Sequence, residues 1–168
     1  RALTPGDTVR GENWLAGDYT LPGALVKVAN TSPFDVQVAN SKWLASLHGF
    51  DWLRHICALS AQRGATAAAF YVQDWIRRNP VRVKEAMRSD VIARRLMNWS
   101  AAMPTILPAL ERREIDTIRQ ALSQQSKYLA RCVDEENDGV RRLTAAFGLA
   151  YAGLAIAGDG QWIRRGVE

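Results

Sequence analysis

The sequence predicts a mainly α fold, and three observations carry that reading. Apolar residues recur at three- and four-residue steps through most of the chain after Asn40, the mark of amphipathic helices. Glycine and proline fall between those runs, at Arg63-Gly64, Asn79-Pro80, Pro104, Pro108 and Gly158-Asp159-Gly160, where they end helices. The connections left over are short, which joins successive helices into antiparallel hairpins. Stacked hairpins make bundles, solenoids or toroids, and no fixed-period repeat names a common solenoid.

Residues 1–37 differ from the rest. Pro5-Gly6, Gly11, Gly17, Pro22-Gly23 and Pro33 punctuate them. Asp18 to Leu21 and Ala24 to Val28 alternate loosely, as short strands do. Pro22-Gly23 supplies a turn, so a small β-hairpin is expected, anchored on a helical body by Trp14, Tyr19 and Phe34. A two-stranded hairpin needs such a body, because it is not stable alone. The division expected is therefore an N-terminal extension at 1–37 and a helical domain at 38–168.

From Asn40 the helical pattern takes over. Ser41 is a fair N-cap; Trp43, Leu44 and Leu47 form one face, His48-Gly49-Phe50 bends it, and Leu53, Ile56 and Cys57 continue it. Arg63-Gly64 reads as that helix's end. Ala65 to Asn79 is the next, with Ala68, Val72, Trp75 and Ile76 inward. Ser89-Asp90 opens another, in which Ile92, Leu96 and Trp99 form an apolar stripe. Arg94 and Asn98, four apart, share a face. Arg95 and Trp99, also four apart, are spaced for a guanidinium to lie on an indole. Glu111 to Asp134 is the longest helix. Val140 to Ile156 is the most apolar and carries small residues that let helices approach closely. Arg1 in place of methionine, and a last helix still incomplete at Glu168, make the sequence read as part of a longer polypeptide.

The charge balance is +5 with a pI near 9.6, which favours acidic partners. Six tryptophans suit a core, or stacking on sugars or bases. Cys57 and Cys132 fit no metal spacing and read as free thiols on apolar faces. Two separated histidines and no clustered acids suggest neither metal nor cofactor. No apolar run approaches the roughly 18 residues that a membrane span requires.

Three blocks then point to a family. They are Trp43 with Leu47-His48-Gly49-Phe50-Asp51-Trp52-Leu53-Arg54; Asp74-Trp75-Ile76 with Asn79-Pro80 and Arg94-Arg95-Leu96-Met97-Asn98-Trp99; and Asp138-Gly139-Val140-Arg141-Arg142-Leu143-Thr144 with Gly148-Leu149. In this order and spacing the chain resembles the N-terminal helical region of heparinase II/III-like proteins, bacterial polysaccharide lyases and their relatives. The resemblance implies an incomplete (α/α) toroid, followed in the longer protein by a β-sandwich domain that this region would contact. It implies β-elimination on a uronic-acid polysaccharide, in the cytoplasm or periplasm of a bacterium. It also marks a departure: the family's Asn-His segment is replaced here by Gly139-Val140-Arg141-Arg142, so no complete catalytic set is expected in this chain.

The residues singled out for an acidic polysaccharide or oligosaccharide are Arg141 and Arg142 as carboxylate clamps, His48 and Trp52 at the bend, and Asn98 with Trp99 as a groove wall. Each has an internal alternative. The arginines can pair with Glu135, Glu136 or Asp138, and the others can be core or bend-forming residues. A non-catalytic acidic-glycan-binding or scaffold domain is the second reading. A nucleic-acid-binding domain ranks last, because charges alternate in sign along most helices.

Overall fold

A computed structural model describes residues 5–133 together with 139, 140, 143, 144 and 146–149. It begins with a helix that the glycine pattern had hidden. The Asp7 carboxylate accepts from the backbone N–H groups of Val9 and Arg10, which satisfies two of the free donors at a helix start. α1 (Thr8–Leu15) follows. Gly11 lies inside it rather than breaking it. Its reason is proximity: a Cβ there would run into the His55 backbone carbonyl. Gly11→Ala is expected to push α1 off the body and cost about 2 kcal/mol, as overpacking does. A denaturant midpoint matching the parent protein would refute the contact.

The expected β-hairpin is corrected. No strand forms among the described residues; only two isolated antiparallel bridges appear, Asp18 to Lys27 and Leu21 to Ala24. Side chains at the start of the next helix hold one carbonyl that a ladder would use and one in the turn. The Trp43 indole N–H donates to Tyr19 O, and the Asn40 amide donates to Gly23 O, each at 3.0 Å. The anchoring itself is as expected. Trp14 stacks on Trp52 with ring centroids 4.0 Å apart, Tyr19 is buried, and Phe34 lies 5.9 Å from Phe50.

The body is helical. Asn40, not Ser41, caps α2 (Ser41–Gly49) through Lys42 N–H and Trp43 N–H. The chain reverses at Phe50, and α3 (Leu53–Cys57) follows. α4 (Ala61–Arg78) starts earlier than expected, so Arg63-Gly64 lies within its first turns. Gly64 backs onto Ile56 O, a close approach that only a residue without Cβ makes easily. Asn79, left-handed at φ 45°, ends α4 as expected. A 3₁₀ turn at Glu85–Met87 leads into α5 (Ser89–Ile106), which runs through Pro104, where the sequence placed a helix end. A second 3₁₀ turn, Leu107–Ala109, precedes α6 (Arg112–Val133).

The core lies where α2, α3, α4 and α5 meet, with α6 packed on α4 and α5. Trp14, Trp43, Trp52, Trp75 and Trp99 are all buried there. Gly148 is buried against α5, where an added Cβ would meet Ala93 Cα at 2.6 Å. No described helix is long and apolar enough to cross a membrane.

Candidate functional site

The bend at 48–52 is built by an unusual choice of residue. After α2 the left-handed position is taken by Phe50 at φ 59°, not by the neighbouring Gly49. Left-handed geometry disfavours a bulky residue, so its surroundings must hold it. The Phe50 ring is fully buried and lies 5.1 Å from Trp52 and 5.3 Å from Trp99. Gly49 is left free for a different task. Its bare Cα faces α5, where a Cβ would come within 3.3 Å of the Arg94 guanidinium.

α5 grips this bend from two sides. Arg94 and Asn98 share a face, as their spacing requires, and both reach the turn. Asn98 donates to Gly49 O at 2.8 Å. Arg94 donates to Ala45 O at 3.3 Å and pairs with the Asp51 carboxylate, which also accepts from Ser46 Oγ at 3.0 Å. Arg94 Nη2 lies 3.6 Å from Asp90, itself paired with Arg88. The turn is thus closed by charge-assisted hydrogen bonds on its outer side.

The inner side is closed by Arg95, which has no exposed surface. Its guanidinium sits 4.2 Å from the Trp75 ring centroid, so the stacking partner is Trp75 and not the expected Trp99. Helix geometry explains the change: Trp99 points into the aromatic cluster, 5.4 Å from Trp75, while Trp75 presents its face from α4. Arg95 donates to His48 O at 2.8 Å, to Ala86 O at 3.1 and 3.2 Å, and to the Gln125 side-chain carbonyl. None of these acceptors is a carboxylate. A cation buried with neutral acceptors alone is held by geometry and by the indole face. One side chain thereby joins the bend, the 3₁₀ turn before α5, and α6.

His48 completes the arrangement. Its Nδ1 accepts from the Trp75 indole N–H at 3.1 Å, so this nitrogen must be unprotonated. Burial, helped by the nearby Arg95 charge, lowers its pKa from 6.5 to about 4. Burial also lowers that of Arg95 to about 9. Burial raises that of Asp51, against the opposing pull of Arg94. At the other end of the same segment, His55 Nδ1 accepts from Asp7 N–H at 2.9 Å, and burial lowers its pKa too. Cys57 is a free cysteine whose thiol is pushed up to about 11 by burial, which leaves it unreactive near neutral pH.

His48, Trp52, Asn98 and Trp99, singled out from the sequence, are therefore neighbours. They meet across the core, where His48, Trp52 and Trp99 are buried. Trp52 donates its indole N–H to Leu47 O at 3.1 Å. Arg141 and Arg142 lie outside the described residues. Sequence reasoning did not assign Arg95 its central part or give Asp51 any. The signal available was an arginine on the apolar side of a helix, between Ile92 and Trp99.

No protein-family model and no solved structure matches the chain. The chain is 27% identical over 155 residues to FtsZ-localized protein C of Caulobacter vibrioides (strain NA1000 / CB15N), an alignment covering 92% of this chain. It spans 26% of the length of that protein. These findings correct the resemblance to heparinase II/III-like proteins. With it go the polysaccharide-lyase reading, the acidic-glycan-binding alternative and the acidic polysaccharide as partner. The physical reason is local. Residues of two of the blocks that suggested the family, Leu47 to Arg54 and Arg94 to Trp99, hold this chain's own bend closed.

Proposed function

We propose that this chain is a helical protein-interaction domain that helps place a larger protein at FtsZ in the bacterial cytoplasm. The observation that carries the reading is the alignment with FtsZ-localized protein C along 92% of the chain. The geometry supports it in a second way. His48, Trp52, Arg95 and Trp99 make their contacts inward, so partners are left to meet the outer faces of the helices. We also read the hairpins of α4, α5 and α6 as an arc of an incomplete (α/α) toroid.

The test is direct binding. Labelled chain titrated with purified Caulobacter vibrioides FtsZ is expected to give a saturable anisotropy change, and a fluorescent fusion is expected to follow FtsZ in cells. A flat titration together with a diffuse fusion would reject the reading.

A further inference from the structure

One exposed segment of the chain combines order, charge and an apolar tip. It is the loop from Asn79 to Arg88 that joins α4 to α5. Its backbone is a run of tight turns: Val81 N–H donates to Asn79 O at 2.7 Å, Val83 N–H to Pro80 O at 3.1 Å, and Ala86 N–H to Val83 O at 3.0 Å. Ala86 O is held from below by the Arg95 guanidinium. The loop is therefore presented in one shape, which lowers the ordering cost of binding.

Its surface is basic. Arg77 is 66% exposed although it lies 3.4 Å from Asp74. Arg82 and Lys84 are exposed and make no ion pair among the described residues. Between the arginines, Val81 is 56% exposed. Within the loop Arg88 is paired with Asp90, and elsewhere Arg10, Lys27, Arg63, Arg78, Arg94 and Arg119 have acidic partners, while Lys42, Arg112 and Arg113 are exposed without an ion pair among the described residues. Arg95 adds to the field. Its charge is buried beneath the loop with neutral acceptors only, so neither water nor a carboxylate offsets it locally.

We propose that the loop at 79–88, with the last turn of α4, is a docking surface for an acidic segment of a protein partner, with Arg77, Arg82 and Lys84 meeting its carboxylates and Val81 an apolar side chain between them. The inference rests on the protein-interaction reading and names the chemistry of the partner. A folded duplex needs a longer track of cations than this loop offers.

The test uses a fluorescein-labelled glutamate-rich peptide containing one leucine, with purified FtsZ in a parallel arm. The chain is expected to bind the peptide, more weakly as salt rises from about 50 to about 200 mM. R82E/K84E is expected to weaken peptide binding about tenfold, and V81S about threefold, with helical content unchanged by circular dichroism. R112E/R113E, which makes the same net charge change at the exposed start of α6, is expected to bind like the parent protein. Equal loss in both double variants, or loss in neither, overturns the proposal. If FtsZ binds the parent chain and R82E/K84E equally, the loop is the wrong surface while the interaction reading stands. If the peptide binds through the loop and FtsZ does not bind, the loop stands and the FtsZ reading falls. Loop-dependent binding to phosphatidylglycerol vesicles without peptide binding would overturn the partner class.

Discussion

Arg95→Ala is expected to destabilise the chain by about 4 kcal/mol, the scale of a large-to-small core substitution that also leaves buried acceptors unpaired. The substitution strips His48 O, Ala86 O and the Gln125 side chain of a shared donor. Each buried acceptor left unpaired costs roughly 1–3 kcal/mol. It also empties the space beside Trp75. The melting temperature should fall by about 10 °C for a domain of this size. Arg95→Lys should recover less than half of the loss, because an ammonium cannot reach three acceptors in different directions from a planar fork. Denaturant melts would settle both. A loss under about 1 kcal/mol for the alanine variant would mean that the guanidinium does not hold the bend, the 3₁₀ turn and α6 together.

Acid is expected to begin destabilising the chain at about pH 6.5, above the usual carboxylate range. His48 has a folded-state pKa of about 4 against an ordinary value of 6.5. Between those values the unfolded chain binds the extra proton and the folded chain does not. Stability from this group is therefore complete above pH 6.5 and is lost as pH falls toward 4, by about 3 kcal/mol in all. Protonation would also place a second donor against the Trp75 indole N–H, which His48 now accepts. The lowered pKa of His55 adds a loss of the same sign. His48→Gln keeps an acceptor that does not titrate. Its denaturation midpoint should depend distinctly less on pH between 6.5 and 4 than that of the parent chain. Identical pH profiles in the two proteins would show that His48 is not the group responsible.

The two expectations share a cause that the sequence shows only in part. The helical reading was accessible because it depends on local spacing. The stripe Ile92, Leu96, Trp99 placed α5, and Asn79-Pro80 placed the end of α4 within a residue. The missed helix, α1, fails the same test for a definable reason. Gly11 reads as a breaker locally, and its purpose, to let α1 reach His55 O, is visible only when a residue far away in the chain is brought beside it. The β-hairpin was misread because alternation and a Pro-Gly turn are local signals. The Asn40 and Trp43 side chains that claim the hairpin's carbonyls come from the next helix.

The candidate site shows the same division more sharply. Spacing alone put Arg94 and Asn98 on one face of a helix, and the fold uses them so. Spacing also paired Arg95 with Trp99, and the fold chose Trp75 instead. An arginine on an inward helical face has several indoles within its reach. The choice among them belongs to the crossing of α4 over α5. What the sequence by itself determined is a basic, tryptophan-rich, mainly helical chain with its bend at His48 to Phe50. Only the tertiary structure decided that the bend's polar and aromatic residues turn toward one another, because burial and hydrogen-bond closure are properties of elements that meet in space, not of neighbours along the chain.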